Sequence, residues 1–362
     1  MVKFTDQNEP LSIAVVGVGG VTRAMLPALR RRPDLEIRWL VDTDRAAAQS
    51  AAPADSAPHL VSALADVMAD ATPDAVVINT PADAHDELAE LSLRRGCHTL
   101  VAKPLTATVE KAVELAELAA EHRCTLSVGQ QMRYNRHYRA VARYLQSGAL
   151  GQVESVFLLN SKPRPLPANL ANALDPALLE MSCHHFDSLA SLLGERVPEW
   201  IFCDAYKPSW SAYRANSMIN ALAGYEGGPR LIYHGGFDAR APMYELRLEG
   251  SDGSLRCRGR HMSLPLMTYE VAPPNGEYAL VDLEDDLPDQ ATDPWELFLD
   301  AWLDYVTQAG PEPPFSARSN IKILATLEAA QRSSKCSTRT RVALPYPSEP
   351  SVRTNQSAAP SR

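Results

Sequence analysis

The chain has 362 residues, 45% hydrophobic and 22% charged, the balance of a folded soluble protein and not of a disordered or collagen-like one. At this length two hydrophobic cores are expected. Thirty-five Lys and Arg against 44 Asp and Glu leave a net charge of -9, which excludes sequence-independent nucleic-acid binding, since that needs a basic footprint.

No run approaches the roughly 18 apolar residues of a membrane helix. The polar start Met1–Pro10 lacks the apolar segment of a signal peptide, so a cytoplasmic protein without a membrane partner is expected. The six cysteines (Cys97, Cys124, Cys183, Cys203, Cys257, Cys336) are scattered without a C-x-x-C pair. Neither a disulfide framework nor a metal site is expected from them.

Strand and helix patterns alternate through the first 128 residues. Ser12–Gly17 is a short continuous apolar strand, and Val21, Met25, Leu26 and Leu29 then recur at helical spacing. Pro27 lies inside that helix, where it removes a backbone hydrogen bond. Glu36–Val41, His59–Val61, Ala75–Ile78, His98–Val101 and Thr125–Val128 read as further strands. Ala63–Ala69, Asp83–Arg95 and Thr106–Glu121 read as helices. Such alternation means an α/β unit: a doubly wound parallel sheet covered on both faces.

After residue 129 the rhythm changes. A helix over Tyr134–Gln146 stops at Gly148, Val153–Asn160 is a strand, Pro176–Leu193 a helix and Pro198–Tyr206 a strand. Extended segments with turns such as Glu226–Pro229 and Ser251–Ser254 fill Asn216–Val281 and read as hairpins of a largely antiparallel sheet. Helices return at Trp295–Gln308 and Ser316–Ser333. Pro347–Arg362, rich in Ser, Pro and Ala, reads as a disordered tail. The expected organisation is an N-terminal Rossmann domain at 1–128, an α+β domain with an open-faced sheet at 129–346, and the tail at 347–362.

The first strand runs into Gly17-Val-Gly-Gly-Val-Thr22. Gly17 and Gly19 fit the first two positions of G-x-G-x-x-G, which let the chain turn tightly and approach a pyrophosphate. The following helix would offer its free N–H groups to the phosphates. Thr22 replaces the third glycine, so the helix–strand contact must be adjusted. Asp42 ends the second strand about 20 residues later, where an acid takes the ribose hydroxyls. A carboxylate there opposes a 2′-phosphate and favours NAD over NADP, whereas Arg45 can tip the preference back. The alternative for Asp42 or Asp44 is a helix cap.

Asn79-Thr80-Pro81 ends the fourth strand and His85 follows. Lys103-Pro104 ends the fifth strand. Carboxyl ends of parallel strands are where ligands sit in such sheets. Arg133, Arg136, Arg139 and Arg143 share one helical face, either a solvated stripe or an oligomer contact. Trp210-Ser-Ala-Tyr213 is either pocket lining or packing.

The ordered set Gly17–Thr22, Asn79-Thr-Pro-x-x-x-His85, Lys103-Pro104, Gly129-Gln-Gln-Met-Arg133 and Ser147-Gly-Ala-Leu-Gly151 resembles the glucose–fructose oxidoreductase / inositol dehydrogenase (Gfo/Idh/MocA) family over about residues 10–340. The resemblance implies an NAD(P)-dependent oxidoreductase. Its substrate would be a secondary alcohol or ketone of a sugar, sugar nucleotide or cyclitol, and its open sheet would build a homodimer or homotetramer. Cofactor contacts then fall on Gly17, Gly19, Gly20, Val21, Thr22, Asp42, Arg45, Asn79, Thr80, Pro81, His85 and Lys103.

The family's Glu-Lys-Pro is Ala102-Lys-Pro104 here. Its Asp-x-x-x-His helix is Glu180-Met-Ser-Cys-His184, a four-residue spacing that would pair Glu180 with His184 on one face. Lys103, His184 and Glu180 are therefore the expected catalytic residues, with Lys103, Arg133, His184 and His185 contacting substrate. A redox-neutral NAD-dependent glycosidase and a non-catalytic dinucleotide-sensing protein stay open as alternatives.

Overall fold

A computed structural model of the protein describes residues 9–52, 58–166, 170, 175–262, 266–285, 287 and 293–346. The expected tail at 347–362 lies outside the described residues, as does most of the polar start.

The first half is built from β1 (Leu11–Val16), α1 (Gly20–Arg30), β2 (Leu35–Val41), α2 (Arg45–Ala51), β3 (His59–Val61), α3 (Leu64–Asp70), β4 (Ala75–Ile78), α4 (His85–Arg94), β5 (His98–Ala102), α5 (Val109–Glu121) and β6 (Leu126–Gly129). Its six strands are parallel in the order β3-β2-β1-β4-β5-β6, the doubly wound arrangement that the alternation predicts.

Period-2 alternation splits these strands between two apolar layers. Ile13, Val15, Ala75 and Val77 join Met25, Leu26 and Leu29 of α1. Ala14, Val16, Val76 and Ile78 join Ala89 and Leu93 of α4 and Ala112 and Leu115 of α5. Val21, expected on the buried face of α1, is exposed at the helix's first turn. The helix continues through Pro27.

The second sheet comprises β7 (Val153–Pro163), β8 (Trp200–Tyr206), β9 (Met218–Gly224), β10 (Arg230–Gly236), β11 (Asp238–Gly250), β12 (Gly253–Gly259), β13 (Thr268–Ala272), β14 (Ala279–Val281) and β15 (Thr340–Arg341). Their order is β14-β13-β12-β11-β7-β10-β9-β8-β15. Among the described strands of this sheet only the β7–β10 pair is parallel.

One face carries Val156, Leu158, Ile219, Leu231, Leu246 and Leu255, packed against α6 (Arg136–Gln146), α7 (Cys183–Leu192) and α9 (Ala317–Cys336). The remaining helix, α8 (Pro294–Val306), returns to the first sheet, where Phe298, Leu299 and Trp302 pack with Met25 and Leu29. Among the described residues no helix is long and apolar enough to cross a membrane.

Immediately before α7, Leu178–Ser182 forms a turn of π-helix, an insertion frequent at functional sites. Lys103, at the end of β5, meets this turn, and the candidate site lies there.

Candidate active site

The glycine turn joins β1 to α1 at the point where the strand order reverses. Gly17 has φ +83°, and a Cβ there would stand 2.7 Å from the Asn79 carbonyl oxygen and 2.9 Å from the Thr80 nitrogen. Only glycine fits. Cβ atoms at Gly19 and Gly20 would meet nothing within 4 Å, so the backbone faces open space where a pyrophosphate can approach. Thr22 shows how the missing third glycine is accommodated. Its buried hydroxyl donates to the Gly17 carbonyl and accepts from Asn79 Nδ2 at 2.9 Å, so a polar staple ties α1 to the ends of β1 and β4.

Asp42 and Asp44 divide the two roles that the sequence leaves open. Asp44 caps α2, accepting from the N–H groups of Ala46 and Ala47. Asp42 accepts from the Val18 N–H at 2.7 Å and the Asp44 N–H at 2.8 Å, which fixes its carboxylate beside the glycine turn. Thr80 Oγ1, at the neighbouring strand end, is buried without a hydrogen-bond partner. An open glycine backbone, a free helix N-terminus, a fixed carboxylate and an orphaned hydroxyl together fit NAD. Arg45 lies exposed at the start of α2 and Pro81 is exposed beyond β4. We expect NADH to bind at least about tenfold (~1.4 kcal/mol) more tightly than NADPH, with Asp42→Ala narrowing the gap. Fluorescence titration of both cofactors checks this; equal affinities in the unmodified protein would give control to Arg45.

His85 takes no outward position. Its ring is buried and spans the carbonyl oxygens of Thr80 (3.0 Å) and Pro104 (2.7 Å). It therefore ties the ends of β4 and β5 together, and Lys103 sits on the segment it holds.

Lys103 Nζ donates to the Glu180 carbonyl at 3.0 Å and to the Glu180 carboxylate at 2.9 Å. The two side chains keep 14% and 21% exposure, so the pair is sheltered yet reachable. An ammonium has three donors, and one N–H of Lys103 remains for a ligand. The expected Glu180–His184 pairing is corrected here. The π turn interrupts the simple i,i+4 register, and the Glu180 carboxylate goes to the opposite charge of Lys103, a stronger partner than a neutral imidazole.

His184 instead bonds Gln130, at the end of β6, through Nδ1···Oε1 at 3.1 Å. An amide oxygen only accepts, so Nδ1 carries the proton and Nε2 carries the lone pair. Burial, and after it the charges of Lys103, His185 and Lys162, holds this imidazole well below its ordinary pKa. It is a neutral ring at pH 7. Gln130 was legible only as part of the Gly129–Arg133 motif; its place at a strand's carboxyl end is the signal that could have singled it out.

Two expected substrate contacts are elsewhere. His185 is fully buried, between Asn160 Nδ2 and Tyr233 Oη (2.8 Å), and burial pushes its pKa down to about 3. Arg133 is buried in a fork on Asp187, at 2.7 and 3.0 Å, with a further bond of 2.9 Å to Glu195. The side-chain nitrogens of both are bonded to protein partners, of which only Glu195 is exposed. Arg136, from the same expected stripe, pairs with Glu284. Tyr213 is buried against Phe237, while Trp210 stays exposed with Arg240 over its ring.

Two family models match the chain: an oxidoreductase family with an NAD-binding Rossmann fold over residues 11–130, and the GFO/IDH/MocA C-terminal domain over residues 138–256. An inositol 2-dehydrogenase of Rhizobium meliloti is 28% identical over 181 residues, half of this chain and 54% of the relative. The chain thus spans about half the length of the curated relatives it matches first. Among solved structures, an oxidoreductase from Agrobacterium radiobacter in complex with NAD+, L-tartaric acid and magnesium superposes with a TM-score of 0.79 at 19% identity, covering 92% of this chain and 98% of that one. The WlbA dehydrogenase of Bordetella pertussis, in complex with NADH and UDP-GlcNAcA, gives 0.78 at 20% identity, covering 94% and 100%. At these identities the two structures speak for the fold alone.

Proposed function

The chain belongs to the Gfo/Idh/MocA family of NAD-binding oxidoreductases, and from that premise we propose that it interconverts a secondary alcohol and a ketone on a polyhydroxylated substrate, a sugar, sugar nucleotide or cyclitol. NAD, when bound, supplies the hydride acceptor. The observation that carries the reading is that Lys103 and Gln130, the partner of His184, follow the paired ends of β5 and β6, where Ala102 faces Gly129; Lys103 keeps an N–H and His184 the Nε2 lone pair.

In the oxidation direction His184 Nε2 takes the hydroxyl proton. Lys103 Nζ donates to the same oxygen and stabilises the negative charge that develops on it. Glu180 holds Lys103, and Gln130 holds the imidazole in the tautomer that can act as base. Ala102, in place of the family glutamate, leaves this relay intact, because Glu180 supplies the carboxylate for Lys103.

The protonation state gives the test. A base acts only when unprotonated, and the pKa of His184 lies well below 6.5. Oxidation kcat/KM should therefore hold level as pH falls through 6.5 and decline only at lower pH. Removing the Lys103 charge, as in Lys103→Met, should move the residual acid limb upward. The assay is NADH absorbance against a panel of sugars and cyclitols, with product measured alongside. An acid limb at or above pH 6.5, or product without matching NADH, would overturn the reading.

We further propose that copies of the chain join through the uncovered face of the second sheet. Phe202, Leu222, Ile232 and Phe157 form one cross-strand row on that face, and Phe202, Leu222 and Ile232 are exposed. A hydrophobic row of this kind supports an interface. Leu222→Glu should lower the mass measured by light scattering to that of the monomer; an unchanged mass would exclude this face.

A further inference from the structure

On β7, Val156, Leu158 and Asn160 point to the helix-covered side of the sheet, and Asn160 bonds His185, the neighbour of His184. Lys162 is the next residue on that side. It is half-buried, and its charge acts on both His184 and Lys103. Arg164 follows two residues later, with its guanidinium 4.8 Å over the Phe237 ring.

Among the described residues no carboxylate lies within 4.0 Å of either cation. The acids nearby are otherwise engaged. Glu180 is on Lys103, and the Asp238 carboxylate, which keeps its charge while accepting from the Ser211 hydroxyl at 2.6 Å, lies beyond ion-pair distance of both. Burial, with Arg164 and Lys103 adding to it, pushes the Lys162 pKa below its ordinary value. A half-buried ammonium facing further cations costs free energy that an anion would offset. Sequence reading passes over the pair because Lys-Pro-Arg at a strand end carries no motif.

We propose that Lys162 and Arg164 form an anion subsite beside Lys103 and His184, so that the preferred substrate is a sugar or polyol carrying a carboxylate or phosphate. This deepens the hydride-transfer reading above and rests on it for the location of the substrate. Lys162 lies on β7 and Arg164 directly after its end, neither on the glycine turn, so the group they meet is on the substrate. Two cations of different reach, an ammonium and a planar guanidinium, suit charge-assisted hydrogen bonds to one such group.

The experiment uses the full chain loaded with NADH and calorimetric titration of matched sugars: D-glucose, D-glucuronate and D-glucose 6-phosphate, and the corresponding galactose set. In at least one set an acidic member should bind at least about tenfold more tightly than its neutral parent, the size expected of one charge-assisted contact. Whether the uronate or the phosphate wins identifies the anion. Lys162→Met should cut that ratio below about threefold and Lys162→Arg should restore most of it, since the charge returns. Arg164→Met is the second probe, and retained NADH affinity shows that each variant is folded.

If no acidic member exceeds its parent, or if Lys162→Met and Arg164→Met weaken neutral and acidic members equally, the subsite is wrong. Failure of the hydride-transfer reading looks different. An acid would then bind with the dependence on Lys162 described, but no member of the panel would reduce NAD.

Discussion

Lys103→Met and His184→Ala should each lower turnover by about 10²–10⁴-fold while leaving NADH affinity within about threefold, the size expected for a positioned acid–base group or oxyanion donor. Neither side chain belongs to the glycine turn, which is held by Gly17, Thr22, Asn79 and Asp42. The two losses should not add fully in the double variant, because both residues act on one substrate oxygen. Glu180→Gln should be milder than either. It keeps a side-chain oxygen for Lys103 but removes the charge that holds the ammonium in place. Gln130→Leu should release the imidazole tautomer and lower kcat more than it raises KM; a purely structural Gln130 would instead lower stability without this split.

His185→Ala is the comparison that makes the assignment vulnerable. His185 is enclosed by Asn160 and Tyr233, so its loss should register in stability first. If His185→Ala abolishes turnover in a folded, NADH-binding protein while His184→Ala stays near wild type, the relay assigned to His184 is wrong. Single-turnover measurements with NADH readout separate these cases, because they follow chemistry apart from product release.

The doubly wound sheet was legible because its buried strands are continuous apolar runs and its helices keep their spacing, as in Ala75–Ile78 followed by the α4 pattern. The glycine turn was legible for the same kind of reason, since a Cβ at Gly17 would stand 2.7 Å from the Asn79 carbonyl oxygen and only glycine lacks one. Partners across the fold were not. The spacing of Glu180 and His184 fits a pair on an ordinary helix, but a π turn and a lysine from the other sheet decide where the carboxylate goes. Arg133 and His185 are polar residues beside recognisable motifs, and in sequence they cannot be told from ligand contacts. Their buried partners, Asp187 with Glu195 and Asn160 with Tyr233, are brought to them only by tertiary packing. Conversely Gln130 and Lys162 gain their interest from what stands opposite them, which no local pattern encodes.

Arg133→Met should cost about 3–5 kcal/mol of stability, the range for removing one partner of a buried ion pair. Arg133 and Asp187 keep only 4% and 1% side-chain exposure, so the Asp187 carboxylate would be left inside without water or a counter-charge. The bond to Glu195 contributes little to this cost. That carboxylate is 45% exposed, and water replaces its partner when the arginine goes. Asp187→Leu together with Arg133→Met should therefore recover most of the loss, since an apolar pair of similar volume removes the uncompensated charge. Glu195→Gln alone should change stability by less than about 1 kcal/mol. Denaturant unfolding of the three variants measures the differences, and a midpoint shift at constant slope shows that the compared states are the same. The result also decides between the two readings of Arg133. A substrate contact would raise KM with the unfolding midpoint nearly unchanged, whereas a buried clamp between the segment after β6 and α7 lowers the midpoint and leaves KM of the folded fraction close to wild type.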